Sequence, residues 1–133
     1  MAHIIVIEDN VENARLVAKL LNKSEHTVSL HATGEEGLTD SLAANPDLIL
    51  IDMGLPDIDG QTVIALLRQQ PHLQHIPLIA FTAWPEDTAY TMSKAYGCDG
   101  VILKPVNTRT FVSQIESFLK SSSGIQIPAS SEG

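Results

Sequence analysis

Leu48-Ile49-Leu50-Ile51 is an unbroken run of large aliphatic side chains, with Pro46-Asp47 before it and Asp52 after it. A strand with one wet face alternates apolar and polar residues. A strand with no polar face needs cover on both sides, the environment of a central strand in a parallel sheet. Strand Asp47 to Asp52 therefore predicts an α/β protein. The neighbouring patterns agree. His3 to Ile7 reads as a second buried strand, Leu78 to Thr82 as another, and Val101 to Leu103 as a short one. Thr27 to His31 alternates and reads as a more exposed strand.

Helical patterns separate these runs. Asn10 is placed to cap a helix carrying Ala14, Val17 and Leu21 on one face. Thr33 with Glu36 forms a capping-box pair that opens a helix through Leu38 and Leu42, ended by Pro46. A third helix spans about Gly60 to Gln70. Pro85 with Glu86-Asp87 opens a fourth, closed by Gly97. Asn107 or Thr108 opens the last, with Phe111, Ile115 and Phe118 on one face. Five strands alternating with five helices predict a parallel sheet covered on both faces. The helix at 86–96 offers only Ala89, Met92, Ala95 and its tyrosines to a core, so it is expected to be the least firmly held and the easiest to shift.

Length and charge narrow the class. A chain of 133 residues makes one domain, with 44% hydrophobic and 18% charged residues, a globular composition. Eight basic against 16 acidic residues give a net charge of −8. With no Lys/Arg cluster, direct nucleic-acid binding and a polybasic membrane contact are not expected. The apolar runs at Ile4–Ile7 and 48–51 are too short for membrane insertion or a signal peptide. Cys98 is the single cysteine, which excludes an intrachain disulfide and fits a cytoplasmic protein. Residues 1–120 are expected to form the domain. The Ser-rich stretch 121–133, with Pro128, is expected to be a disordered tail or a linker stub.

In an open parallel sheet the site lies at the carboxyl ends of the strands, where strand order reverses. The predicted strands end in Glu8-Asp9, Asp52, Thr82 and Lys104-Pro105. Alone, each is ordinary: a strand-end Asp caps helices or makes turns, Thr82 would cap the next helix, and Lys104 would be a solvated lysine. Together they form a titratable cluster of the kind that marks a site. Three clustered carboxylates call for a hard divalent cation with oxygen ligands, and Mg²⁺ suits because it keeps waters that phosphate oxygens replace. One carboxylate could then act as nucleophile toward phosphorus, with Lys104 and the Thr82 hydroxyl holding phosphoryl oxygens.

These stretches resemble the receiver domain of two-component response regulators. The matching segments are Ile5-Val6-Ile7-Glu8-Asp9-Asn10, Pro46 through Met53, Leu55-Pro56 with Asp59-Gly60, Ile79-Ala80-Phe81-Thr82-Ala83 and Leu103-Lys104-Pro105. The resemblance implies a flavodoxin-like, doubly wound five-stranded parallel sheet of order 2-1-3-4-5 with five helices. It implies Asp52 as phosphoacceptor from a phosphohistidine on a histidine kinase or histidine phosphotransfer protein. Glu8 and Asp9 would hold Mg²⁺ beside Asp52, Asp9 more directly, with the backbone carbonyl of Gly54 completing the metal site. Thr82 would be the switch hydroxyl, Lys104 the phosphate-binding lysine, and the peptide to Pro105 cis. The run Glu8-Asp9-Asn10 with Asn13 is similar to receivers of hybrid kinases and of stand-alone phosphorelay regulators. Output would be binding to a downstream effector protein or onward relay. The domain would be a signalling phosphoacceptor rather than a conventional enzyme, with phosphotransfer and autodephosphorylation its only self-catalysed chemistry.

Two departures stand out. The family usually has Tyr or Phe three residues before the lysine, where this chain has Val101. Switching would then rely on Thr82, the loop at Ala83-Trp84 and the helix at 86–96, with Trp84 supplying bulk. Gly54 replaces the larger side chain that often tunes dephosphorylation. Two rivals remain. A haloacid-dehalogenase-like aspartyl-phosphate hydrolase would want an acid at position 54 and a late acidic pair, and has neither. A phosphorylation-independent pseudo-receiver would not need the acids. His72 and His75, three apart after Pro71, read as surface residues before a metal pair. Leu16 and Leu20 read as core before kinase docking.

Overall fold

The structure is a computed structural model that describes residues 1–123, with side chains through residue 120. Its strands are β1 (His3–Ile7), β2 (Thr27–His31), β3 (Leu48–Asp52), β4 (Leu78–Thr82) and β5 (Gly100–Leu103). Its helices are α1 (Val11–Lys23), α2 (Gly34–Ala43), α3 (Gly60–Arg68), α4 (Glu86–Tyr96) and α5 (Phe111–Ser123), with a 3₁₀ turn at Pro71–Leu73. The strands make one sheet of order β2-β1-β3-β4-β5, all neighbours parallel. This is the expected flavodoxin-like order, and β3 is its middle strand. The tail is expected to begin at residue 121, but α5 runs on to Ser123; residues 124–133 lie outside the described residues.

Register decides which residues emerge together. Ile7 pairs with Ile51, Asp52 with Phe81, and Thr82 with Leu103. Glu8, Asp52, Thr82 and Lys104 therefore leave the sheet abreast, at the end where β1 is flanked by β2 on one side and β3 on the other.

Alternation along the strands divides the core in two. Ile5, Ile7, Ile49, Ile51 and Ala80 face Val63, Ile64 and Leu67 of α3 and Ala89 of α4. Ile4, Val6, Leu48, Leu50, Ile79 and Phe81 face Val17 and Leu21 of α1 and Phe111 and Ile115 of α5. Burying each such large side chain stabilises by roughly 1.5–3 kcal/mol, so the two-sided cover of β3 follows from its sequence.

Several local expectations need revision. The leucine stripe expected in α2 is only half inside: Leu38 is partly buried and Leu42 is exposed. The buried face is Gly34, Gly37 and Ser41. A Cβ at Gly37 would overlap the Ile7 side chain, so α2 lies closer to the sheet than a leucine stripe would allow. The last helix begins at Phe111, not at Asn107 or Thr108. The Asn107 carboxamide accepts from Arg109 N–H, and its carbonyl accepts from Thr110 and Phe111, so residues 107–110 form a turn that leads into the helix. Asp47 stays outside β3 because its carboxylate and amide both engage the His3 backbone.

The opposite pole of the sheet carries a polar staple. Arg68 at the end of α3 donates to the carbonyls of Leu73, Ile76 and Gly97 and pairs with Asp99 at 2.7 Å. Asp99 also accepts from Leu78 N–H, which ties α3, α4, β4 and β5 together. Gly97 adopts φ of 99°, the left-handed C-cap expected after α4.

Helix α4 buries Ala89 and Ser93. Among the described residues the buried Ser93 hydroxyl has no hydrogen-bond partner. An unpaired buried hydroxyl costs on the order of 1–3 kcal/mol, so Ser93→Ala is expected to raise the unfolding midpoint rather than lower it, as thermal denaturation would show. Nearby, burial pushes the Cys98 thiol up to about 12, with Asp99 adding to the shift and Arg68 opposing it. The thiol therefore stays protonated at neutral pH. Alkylation of native protein by iodoacetamide at pH 8 should be much slower than in denaturant, where the thiolate forms near its ordinary value. No helix among the described residues is long and apolar enough to cross a membrane.

Candidate functional site

Beyond β1 the chain turns at Glu8. Its Oε2 accepts from Asn10 N–H at 3.0 Å, while Asn10 caps α1 by accepting from Asn13 N–H at 2.9 Å. Glu8 is thereby folded in, only 2% exposed, and Asp9 points to solvent. Asp52, at the end of β3, is 6% exposed. One carboxylate oxygen from each of Glu8, Asp9 and Asp52 lies within 4.8 Å of the others.

Lys104 enters the same space from the end of β5. Its Nζ is 2.8 Å from Glu8 Oε1 and 3.4 Å from Asp52 Oδ1, and it lies 4.8 Å from the centre of the Phe81 ring. The ring face favours a cation there. Glu8 Oε1 is buried, and its contact is this ion pair, which lacks hydrogen-bond geometry. Asp52 Oδ1 also accepts from Gly54 N–H at 2.9 Å. One ammonium therefore answers three carboxylates. Hard oxygen donors, surplus negative charge and a buried oxygen short of donors fit a small divalent cation such as Mg²⁺.

The other expected residues take differing places. Thr82 is buried at the end of β4, and its Oγ1 accepts from Trp84 N–H at 3.1 Å. Its carbonyl accepts from Lys104 N–H at 2.8 Å, which couples these two strand ends. Ala83 is exposed, and Trp84 is partly buried against the core formed with α3 and α4. Val101 is buried opposite Ala80 within the sheet. The Lys104–Pro105 peptide is cis.

His72 is exposed in the 3₁₀ turn, and among the described residues neither His72 nor His75 joins a cluster of three ligating groups. Leu16 and Leu20 are half-buried on α1, and Leu20 packs against the core.

Asp57 was not anticipated. It lies in loop 53–59, and its two carboxylate oxygens accept from Gly34 N–H at 2.9 Å and Glu35 N–H at 3.0 Å, at the start of α2. These two bonds hold its carboxyl below the ordinary 3.8. In sequence, Pro56-Asp57 is simply a turn pair. Nothing near it in the chain announces a partner more than twenty residues earlier.

Comparison with known proteins agrees with this geometry. The family model of the response regulator receiver domain matches residues 4–116. The polar-differentiation response regulator DivK of Brucella ovis is 33% identical over 116 residues, covering 87% of this chain and 94% of that protein. The chemotaxis response regulator CheY4 of Vibrio cholerae superposes with a TM-score of 0.84 at 24% identity, over 89% of this chain and 98% of that one. The receiver domain of a sensor histidine kinase from Pseudomonas aeruginosa, with a magnesium ion coordinated in its active-site cleft, gives 0.83 at 24% identity, over 90% and 98%. The two structures share the fold, and the family match with the DivK identity goes further. On that ground the chain belongs to the response regulator receiver-domain family, the phosphorylation-dependent signalling modules of two-component systems.

Proposed function

We propose that residues 1–120 form a receiver whose Asp52 accepts a phosphoryl group from a phosphohistidine on a histidine kinase or phosphotransfer protein. The observation that carries this reading is the convergence of Glu8, Asp9, Asp52 and Lys104 at the point where strand order reverses. Glu8, Asp9, Asp52 and the carbonyl of Gly54 would hold Mg²⁺. The cation would supply positive charge for the phosphoryl oxygens and offset repulsion between the acids.

The side chains do the rest. Gly54 N–H and Lys104 hold Asp52 Oδ1, which fixes the rotation of the carboxylate and leaves its other oxygen to react. An O–P bond forms at Asp52 as the N–P bond of the donor breaks, its electron pair returning to the imidazole. Lys104 then pairs with a phosphoryl oxygen. The Thr82 hydroxyl accepts from Trp84 N–H, so its own proton is available to donate to another phosphoryl oxygen. Turning toward that oxygen draws the loop at Ala83-Trp84 inward. Val101 in place of an aromatic residue means that this loop and α4 carry the change. Water attack on phosphorus breaks the Asp52 O–P bond, its electron pair returning to the carboxylate, and releases inorganic phosphate.

The output face would be α4, β5 and α5. A groove of about 720 Å³ lies there, lined by Tyr90, Val101 and Phe118 among others, and Tyr90 is half exposed. A downstream effector protein seated there would read the state of α4. Gly54, where the hydrolase reading needs an acid, disfavours an aspartyl-phosphate hydrolase.

The test is incubation with Mg²⁺ and acetyl phosphate, followed by intact mass. A single phosphoryl adduct that requires Mg²⁺ is expected. Absence of any adduct would favour a pseudo-receiver, and multiple turnover of unrelated phosphoesters would favour the hydrolase.

A further inference from the structure

Loop 53–59 connects the proposed phosphoacceptor to α3, and it is pinned along its length. Met53 and Leu55 are buried. Gly60 lies so close under Met53 that a Cβ there would come within 2.9 Å of Met53 Sδ. Ile58 packs against the core, and Gly34 of α2 comes so near that a Cβ on it would overlap the Ile58 side chain. Asp57 adds the polar attachment. Its two oxygens take up the first two amides of α2, while Thr33 Oγ1 takes the third, from Glu36, at 3.1 Å. The start of α2 is thus capped from two sides, once by its own preceding residue and once by the loop.

Only the loop-side cap connects to the site. Three residues before Asp57, Gly54 N–H bonds Asp52 Oδ1. We propose that Asp57 is a positioning residue: by clamping loop 53–59 to α2 it holds the Gly54 peptide against the Asp52 carboxylate, and so sets cation affinity and phosphoryl acceptance. This deepens the functional reading above and rests on it for those two readouts. The carboxylate is specific to the task. Two N–H donors need two acceptor oxygens on one planar group, and an asparagine would turn an NH₂ toward one of them. The downward shift of the Asp57 carboxyl has the same origin, bonding to the ionised form.

The experiment compares Asp57→Ala and Asp57→Asn with Thr33→Ala, which weakens the same helix start without touching the loop. Three readouts serve: Mg²⁺ titration followed by Trp84 fluorescence, acetyl phosphate labelling, and hydrogen exchange at the Gly54 amide in EDTA. Asp57→Ala should weaken Mg²⁺ binding about tenfold, as loss of groups that orient ligands does, and should speed Gly54 exchange. Asp57→Asn should lie between it and wild type. Thr33→Ala should lower the thermal midpoint yet leave Mg²⁺ affinity and Gly54 exchange unchanged. Equal behaviour of Asp57→Ala and Thr33→Ala in those two readouts would overturn the proposal and leave Asp57 a plain helix cap. Wild-type protein that neither binds Mg²⁺ nor takes a phosphoryl group would overturn the functional reading instead, and Gly54 exchange, measured without metal, would still decide the positioning role.

Discussion

Asp52→Asn gains no phosphoryl group from acetyl phosphate under conditions in which wild-type protein gains one. The substitution keeps the shape of the side chain and the acceptor for Gly54 N–H, which is 2.9 Å from Asp52 Oδ1. It removes the anionic oxygen that must form the bond to phosphorus. Intact mass checks the loss, and peptide mapping of the wild-type adduct checks the position. An adduct persisting in the variant, on Asp9 or Asp59 for example, would move the acceptor elsewhere. The same variant carries a stability signature. Unit charges within 4.8 Å of one another repel by roughly 3 kcal/mol at an effective dielectric of about 20, and Lys104 already offsets part of this. In EDTA, Asp52→Asn should be at least as stable as wild type, and Mg²⁺ should raise its unfolding midpoint less. That combination separates a residue kept for chemistry from one kept for folding.

Lys104→Met has the opposite signature. The Glu8 side chain is fully buried, and its Oε1 meets the Lys104 ammonium at 2.8 Å. Removing one member of a buried ion pair leaves an uncompensated charge and costs about 3–5 kcal/mol. For a domain of this size the unfolding midpoint in EDTA falls by about 10 °C or more. Added Mg²⁺ restores positive charge beside Glu8, so it should raise the midpoint of the variant more than that of wild type. Phosphoryl acceptance should slow by on the order of a hundredfold, the usual cost of one lost donor to transferring charge. Scanning calorimetry with and without Mg²⁺ checks the first effect, and labelling kinetics the second. Unchanged stability in EDTA would mean that Glu8 is already satisfied without the lysine.

These two variants bracket how the site is built. Asp52 and Asp9 impose charge on the fold, and Lys104 with the Phe81 ring beneath it relieves that charge from the neighbouring strand ends. At the opposite pole Arg68 is bonded to four carbonyls, those of Leu73, Gln74, Ile76 and Gly97, and paired with Asp99. A polar cluster that is satisfied holds elements together. One that is left in surplus, at the reversal of strand order, is free to bind a cation and react.

The element order was legible in the chain because periodicity and caps are local properties. The aliphatic run 48–51 could only be central, Asn10 and Thr33 stand where the helices start, and Gly97 takes the left-handed turn that ends α4. Where local signals misled, the cause was a tertiary contact in one helix and turn chemistry in another. Leu38 and Leu42 promised a leucine face on α2, but packing against Ile7 favoured the smaller Gly34-Gly37-Ser41 face instead. The start of α5 slipped to Phe111 because Asn107 bonds its own following backbone.

The candidate site divides in the same way. Sequence alone put Glu8, Asp9, Asp52, Thr82 and Lys104 at strand ends, since a strand end is read from where an aliphatic run stops. Their meeting depended on register, Ile7 against Ile51 and Thr82 against Leu103, which no single segment encodes. The depth of Glu8, the ring under Lys104 and the clamp from Asp57 to α2 likewise exist only once distant segments pack. Local chemistry chose the residues, and long-range packing chose their neighbours, because side-chain periodicity is a property of each segment while burial and charge compensation belong to the assembled sheet.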